Sequence, residues 1–372
     1  MIEMTKIREN KNLLAVVDIG TSKVLCVVAE LGMQGEIGIV GVYEQRSAGL
    51  RKGVVVNIES TVNSILDVIR EVERVVGCRI TNVYASIAGS HVRCCNSAGT
   101  VPIRDREVRQ ADVERVMESA RAIVIPSDQQ ILHVLVQEFI VDGQDGVKEP
   151  LGMSGVRLEV NVHIVTGAVS AAQNIVNCVR RCGLEVADLV LQPLASSMAV
   201  LTEDDRNLGV CLVDIGAGTT DLAVFTRGAI RHIGVLPIAG DQITNDIAMA
   251  LRVSTAEAEQ IKRRFGSACE VSDQDDRFEV PGICEGEPRE LSRGALAGVI
   301  RPRVEELFEL IQSELRHSGY DQRIAAGGIV LTGGTSLLPG IVSLCSEMFG
   351  VPVRIGLPKY TGPFSDMIAS PR

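Results

Sequence analysis

Leu212–Phe225 reads LVDIGAGTTDLAVF, two apolar runs joined by a turn of glycines, threonines and aspartates. Val16–Val28 reads VVDIGTSKVLCVV, the same pattern written once before. In both, a strand ends in Asp-Ile-Gly, a short polar turn follows, and a second β-branched strand returns. A single such turn is compatible with a tight hairpin whose glycines serve only geometry. Two copies about half a chain apart point instead to a duplicated fold with one chemical task performed twice.

That task is readable from the residue types. Gly20, Gly216 and Gly218 remove side chains where a phosphate would approach the backbone, and glycine tolerates left-handed dihedrals. Successive N–H groups at such a turn form an anion-binding concavity. Thr21, Ser22, Thr219 and Thr220 add hydroxyl donors, and Lys23 adds a point charge suited to phosphate. Asp18 and Asp214 would repel a bare phosphate. They make sense with Mg2+ between, held mainly through water, as that ion prefers. There is no G-x-x-x-x-G-K-[ST], and the glycine turns lead into strands rather than the helix a dinucleotide fold requires. A third element, GGIVLTGGTSLLPG at 327–340, ends a strand in Gly333-Gly334, where a flat base can lie against bare backbone. Thr335 and Ser336 stand beside it as hydrogen-bonding groups.

The chain has 372 residues, enough for two domains of ordinary size with their own cores. At 46% hydrophobic and 23% charged it is globular. A net charge of −10 argues against a nucleic-acid binder and against adsorption to an anionic membrane without a local anchor. No apolar run has the length of a transmembrane helix, and the charged start MIEMTKIRENKN is not a signal peptide. The ten cysteines form no framework and fit a reducing cytosol. Cys178 with Cys182, and Cys94 with Cys95, come nearest to a metal pattern. Neither pair has a second half, so they read as small buried hydrophobes.

Along the chain, 13–17 and 24–30 are predicted strands, 61–76 a helix ended by Gly77, and 83–88 a strand. A block from 86 to 166 reads as an insertion, with a helix over 107–123, strands over 133–141 and 156–165, and a turn-rich loop between them. Ser170 is expected to cap a helix ending before Gly183. TEDDRN reads as a linker, and 302–316 as a helix with Pro302 in its first turn.

Duplicate Asp-Ile-Gly hairpins with a late Thr-Gly-Gly loop resemble the actin, heat-shock ATPase and sugar-kinase superfamily. Within it the chain resembles the FtsA family of bacterial cell-division actin homologues. GVCLVDIGAGTTDLAVF, LHVLVQEFIVDGQDGVKEPLGMSGVRLEVNVHIVTG and LASSMAVLTEDDRNLG carry the likeness, which runs from about Leu14 to Asp366. It implies an α/β, actin-like fold of two duplicated ribonuclease-H-like halves with a cleft between them. The first half (subdomain 1A) would take 13–85 and 167–205, and the inserted subdomain (1C) 86–166. The second half (2A) would take 206–245 and 326–372, with 246–325 as subdomain 2B.

The resemblance also implies ATP and Mg2+ in the cleft. Gly20, Thr21, Ser22, Lys23, Gly216, Gly218, Thr219 and Thr220 fall on its phosphate loops, and Gly333, Gly334 and Thr335 on its adenosine loop. Gly240 matches the glycine between the halves. Glu259 and Lys262 match positions flanking the adenosine and would otherwise read as an exposed helix face. Gln192 falls where relatives handle the attacking water. An amide can orient water but cannot act as an ionised base, which suits weak or no ATPase activity. Gln192 reads equally well as a cap before Pro193.

The partners implied are the C-terminal tail of FtsZ on subdomain 2B, other copies of the chain through 1C and the core, and later division proteins of the membrane. Arg289, Arg293 and Arg303 are candidate contacts for the acidic FtsZ tail, each also readable as a solvated helix face. The place implied is the inner face of the cytoplasmic membrane at the division site. Attachment there would use a C-terminal amphipathic helix that this chain does not supply. A pilus-assembly relative and a small-molecule kinase of the same superfamily are the alternatives. The kinase would need a catalytic carboxylate, and one large branch also has a cysteine–histidine zinc loop; neither is found.

Overall fold

A computed structural model describes residues 13–33, 36–269, 276–280, 289–360, 362–368 and 370. The charged N-terminal stretch lies outside them, as does most of the acidic segment 272–288.

The first hairpin pairs β1 (Leu13–Ile19) with β2 (Lys23–Leu31), and β3 (Ile37–Arg46) follows antiparallel. A short ribbon, β4 (Leu50–Arg51) with β5 (Val54–Val55), leads to helix α1 (Ile58–Val76). The side chain of Asn57 accepts from the Ser60 N–H to start that helix, and Gly77 at φ 73° stops it. Its inner face of Ile65, Val68, Ile69 and Val72 is buried on the sheet, each residue contributing on the order of 1.5–3 kcal/mol. The strand β6 (Asn82–Ile87) then joins β1 in parallel.

The insertion builds its own four-stranded sheet, ordered β7 (Arg93–Pro102), β10 (Arg157–Ala168), β8 (Gln129–Val141), β9 (Gln144–Val147). Helix α2 (Gln110–Arg121) packs across it over Val116, Val160 and Val162. The stretch expected as a loop thus contains β9, an edge strand paired with β8.

The chain returns through α3 (Val169–Arg181) and β11 (Glu185–Leu191), then α4 (Gln192–Val200) and α5 (Glu203–Leu208). Two expectations are corrected here. Ser170 lies inside α3, whose cap position is Ala168, with no side-chain bond. TEDDRN is helix α5, not a linker: Thr202 and Asp205 form a reciprocal capping box, which is enough to close one turn.

The second half repeats the first. It has β12 (Val210–Ile215), β13 (Thr220–Thr226), β14 (Ala229–Leu236), α6 (Gly240–Leu251) and α7 (Thr255–Phe265). A ribbon of β15 (Arg277–Val280) and β16 (Arg289–Ser292) leads into α8 (Arg293–Ser318), followed by β17 (Ile329–Thr332), α9 (Ile341–Phe349) and β18 (Val353–Ile355). The two five-stranded sheets run β3-β2-β1-β6-β11 and β14-β13-β12-β17-β18, with the same parallel and antiparallel pairings. The fold is α/β and actin-like.

The central strand β12 is buried on both faces. Val210 and Leu212 pack into the first half's core, while Cys211, Val213 and Ile215 face the core beneath α8. Pro302, expected near a helix start, sits inside the 26-residue α8. Leu296, Ala297 and Ile300 are buried ahead of it, so packing extends the helix across a proline that local preference would place at its first turn.

Of the cysteines expected to be buried, Cys178 is, Cys94 and Cys182 are half-buried, and Cys95 is exposed.

Candidate functional site

Each Asp-Ile-Gly turn closes by one bond of its own: Gly20 N–H to Lys23 O, and Gly216 N–H to Thr219 O, both 3.0 Å. None of Gly20, Gly216 and Gly218 has a positive φ. The expectation of left-handed glycines is therefore corrected, and the requirement is close approach. A Cβ on Gly20 would stand 3.0 Å from Lys23 O, and one on Gly216 3.2 Å from Thr219 O. A Cβ on Gly218 would stand 2.7 Å from Thr21 Oγ1 and 3.1 Å from Lys52 Cα, so the second turn rests against the first. Beyond the closing bonds, the N–H groups of Thr21, Ser22, Ala217, Gly218 and Thr219 have no protein acceptor among the described residues. Consecutive unspent donors at two facing turns are what a polyphosphate requires.

The side chains are less uniformly available. Ser22 is exposed. The Lys23 ammonium lies 2.8 Å from Glu44 Oε2. Buried Thr220 donates to Ile238 O at 2.7 Å, and Thr219 to Asp221 Oδ2 at 3.2 Å. Thr21 Oγ1 accepts from Gly53 N–H at 3.1 Å.

Helix α4 serves both hairpins. Gln192, its first residue, donates to Asp18 Oδ1 at 2.7 Å and to Ser86 Oγ at 3.2 Å. It therefore does not cap a turn. One helical turn later, Ser196 donates to Asp214 Oδ2 at 2.6 Å. Asp214 pairs directly across the β12–β13 ladder with Asp221, which is 4% exposed and has one oxygen without any partner. Burial first, then the Asp214 charge, pushes the Asp221 carboxyl up to about 8, and burial likewise raises Asp214. Ser196 and Asp221 were not singled out from the sequence. The four-residue step from Gln192 is the signal for Ser196, and the period-two alternation of the second hairpin is the signal for Asp221.

The third loop meets the second hairpin. Thr335 Oγ1 donates to Gly216 O at 2.7 Å, and the Gly240 N–H reaches the same carbonyl at 3.2 Å. Gly333 has φ 82°, and a Cβ on it would stand 2.4 Å from Asp214 Oδ1. Nothing lies within 4 Å of a Cβ position on Gly334, leaving an open face of backbone. Lys262 turns inward rather than to solvent. Its ammonium donates to Gly240 O at 3.0 Å and Thr244 Oγ1 at 2.7 Å, and lies 2.6 Å from Glu259. Burial works to raise Glu259, but Lys262, Thr244 and Arg263 together hold its carboxyl below the usual range.

The residues fit an Mg-bound nucleotide. The buried, half-satisfied Asp221, the raised Asp214 and the unspent turn donors each lack a counterpart that a cation with a polyphosphate would provide. Among the described residues, no three histidine, cysteine or carboxylate side chains stand close enough to hold an ion alone. An Mg2+ near Asp18 and Asp214 would therefore keep much of its water.

Of the arginines considered for an acidic partner, Arg293 and Arg303 are ion-paired to carboxylates, while exposed Arg289 bonds only a backbone carbonyl among the described residues. Arg303 holds Asp246 through two bonds, at 2.5 and 3.0 Å, and also pairs with Glu306. Arg293 binds Asp276 at 2.9 Å and Phe265 O at 3.2 Å, and Arg289 donates to Leu251 O.

Two family models match the chain: "Cell division protein FtsA" over residues 211–372 and "SHS2 domain inserted in FTSA" over 89–166. The FtsA of Pseudomonas aeruginosa is 56% identical, covering 95% of this chain and 85% of its own. That of Neisseria meningitidis is 46% identical over 98% and 88%, and that of Escherichia coli K12 42% over 97% and 88%. Among solved structures, the PilM–PilN type IV pilus biogenesis complex matches with a TM-score of 0.66 at 18% identity, covering 96% of this chain and 90% of that one. MreB5 of Spiroplasma citri bound to ADP matches with 0.58 at 16%, over 93% and 92%. These likenesses bear on the fold.

Proposed function

The chain belongs to the FtsA family of cell-division proteins, and from that premise we propose that it is an ATP-binding, self-associating adaptor for the division ring. One observation carries the nucleotide reading: two duplicated hairpins with unspent donors face each other at Thr21 and Gly218, and the Thr335 loop closes on Gly216 beside them. The MreB of like fold was solved with ADP, which supports a nucleotide in the corresponding cleft. Bound there, Mg-ATP would supply charge facing the donors of both hairpins. The chain's own residues orient and hold it. Turn N–H groups would cradle the phosphates, Asp18 and Asp214 would face the ion, and Gly334 with Lys262 and Glu259 would flank the base.

Gln192 keeps its amide nitrogen on Asp18, leaving its carbonyl oxygen as the group that orients a water. With no ionised base at that position, ATP acts chiefly as a conformational ligand, and turnover is weak or nil.

The adaptor role follows from the family rather than the cleft. The inserted sheet with α2 would serve as subdomain 1C in contacts between copies. The α6–α8 region, 246–325, would be subdomain 2B and take the acidic FtsZ tail. The membrane link, at the inner face of the cytoplasmic membrane, and the recruitment of later division proteins would rest on family segments beyond these elements. Among the described residues no helix is long and apolar enough to cross a membrane. Identities of 42–56% to FtsA relatives place the pilus-type adaptor second.

Titrating a fluorescent ATP analogue with and without Mg2+ tests the cleft. Saturable, Mg-dependent binding is expected, and its absence in a folded sample overturns the nucleotide reading. Anisotropy of a labelled FtsZ C-terminal tail peptide tests the adaptor. Absence of saturable, salt-sensitive binding would remove the FtsZ link.

A further inference from the structure

The two-residue turn Lys52-Gly53 is wedged between the phosphate hairpins and the insertion. On one side, Gly53 N–H donates to Thr21 Oγ1 at 3.1 Å, and Lys52 Cα lies 3.1 Å from the Cβ position of Gly218. The turn therefore touches the first hairpin and the tip of the second at one point. On the other side it meets the crossing into the insertion backbone to backbone. A Cβ on Gly53 would stand 3.0 Å from Gly89 Cα, 3.1 Å from Gly89 N and 3.2 Å from Ala88 C. Gly53 and Gly89 have φ of 74° and 125°, so both hold conformations that a larger residue would strain.

Past that contact lies His91. The Cβ position of Gly89 is 3.3 Å from the His91 Cδ2 and Nε2 atoms, and that of Gly167 is 3.5 Å from His91 Nδ1. Gly89 lies on the segment leading into the insertion, and Gly167 lies at the end of β10, where the chain leaves it. The imidazole is packed between the two crossings. Both of its ring nitrogens are buried, with no well-formed hydrogen bond among the described residues and only backbone carbonyls of Ala88 and His91 near them. A polar ring buried without well-formed hydrogen bonds is costly. Held mainly by packing, with no side-chain partner among the described residues, it can shift with its neighbours without breaking a side-chain network.

We infer that Lys52-Gly53, Gly89, His91 and Gly167 form a contact relay by which occupancy of the phosphate hairpins sets the position of the insertion relative to the first half. The relay rests on the nucleotide reading above for its input. A polyphosphate held by the N–H groups of both turns bears on the point where Thr21 and Gly218 face each other. Lys52-Gly53 touches both, and close-packed backbone transmits displacement instead of absorbing it. The differential contact that couples ligand to conformation is therefore steric and lies on the ribbon β4–β5.

Hydrogen exchange on the full chain, with and without ATP and Mg2+, tests the relay, with affinity measured separately on the same samples by the fluorescent analogue. In the wild type, nucleotide is expected to change exchange by about threefold or more at 52–54, at the Val92 amide that bonds to Gly89 O, and at 166–168. His91→Ala opens a gap between the two crossings. It should keep affinity within about twofold and keep the response at 52–54, but lose it at 166–168. Gly89→Ala presses on the ring and on Val54, and should alter the response at Val92 as well. Should Gly89→Ala fold poorly, His91→Ala decides alone. Nucleotide binding with no change at Val92 in the wild type overturns the relay and leaves the cleft reading intact. So does a full response at 166–168 in His91→Ala. No binding by folded wild-type protein overturns the cleft reading and removes the relay's input with it.

Discussion

Gln192 and Ser196 stand one turn apart on α4, and each donates to the aspartate of a different hairpin, Gln192 to Asp18 and Ser196 to Asp214. The helix thereby couples two carboxylates that are far apart in the chain. Substitution at Gln192 should separate its role in holding Asp18 from any role in hydrolysis. Gln192→Glu replaces a donor with a second carboxylate beside Asp18. Loss of one charge-assisted bond plus like-charge repulsion in a part-buried site costs about 1–3 kcal/mol. The thermal midpoint in EDTA should fall by several degrees, and Mg2+ should recover part of the loss. Equal midpoints for variant and wild type in EDTA would mean that the Gln192–Asp18 bond holds nothing.

Thr335 and Gly216 tie the third loop to the second hairpin through one 2.7 Å bond. Thr335→Ala removes it, while Gly240 N–H still partly satisfies the carbonyl. The net value of such a bond is about 1 kcal/mol, so affinity for the fluorescent ATP analogue should weaken about fivefold. Thr335→Ser keeps the hydroxyl and should restore binding. Unchanged affinity in the alanine variant would place Thr335 outside the binding surface.

Asp221 should make stability depend on pH. Its folded-state carboxyl titrates near 8, above the ordinary value of 3.8, because it is buried and faces Asp214. Between those values the native state holds a proton that the unfolded chain has released. Stability from this group is thus fully present below about pH 4 and is lost as pH rises toward and through 8, by at most ~1.4 kcal/mol per pH unit. Asp221→Asn abolishes the titration. Without nucleotide or Mg2+, its urea midpoint should exceed the wild type's at pH 8, with the gap closing as pH is lowered toward 5. Parallel pH curves for the two proteins would show that Asp221 is not held protonated.

The hairpins were legible in the sequence because every determinant is local: Asp-Ile-Gly, the turn and both strands lie within about a dozen residues, and the pattern occurs twice. Gly333 was legible for the same reason. Ser196 was not, because its role exists only when β12 and α4 converge, just as Gln192 meets Asp18 across 174 positions, and Asp221 matters only through the β12–β13 register that sets it opposite Asp214. Pro302 misled because buried Leu296, Ala297 and Ile300 outweigh the local preference that would start a helix at proline. The inward turn of Lys262 was not legible, since its helix alone reads as a charged face and the family resemblance singles the position out without fixing the side chain's direction. Helix α5 was hidden by its length. Six residues, five of them polar, form a helix there because Thr202 and Asp205 cap each other.

The arginines of the α6–α8 region should divide into one available contact and two structural ones. Arg303 clasps Asp246 and pairs with Glu306, and its side chain is 29% exposed. Arg303→Glu would set three carboxylates together, costing about 1 kcal/mol and lowering the thermal midpoint by about 2–4 °C, so any loss of peptide binding in that variant is confounded by the fold. Arg293, tied to Asp276 and to Phe265 O, should behave similarly. Arg289 is exposed at the start of strand β16, and among the described residues its side chain bonds only to the Leu251 carbonyl. Arg289→Glu should leave the midpoint within about 1 °C and weaken the acidic FtsZ tail about five- to tenfold at low salt. The difference should shrink as salt rises, because an exposed charge is screened. Retention of full peptide affinity by Arg289→Glu, in a sample with unchanged midpoint, would move the docking face away from β16. Loss of affinity that persists at high salt would point to a contact of shape rather than charge.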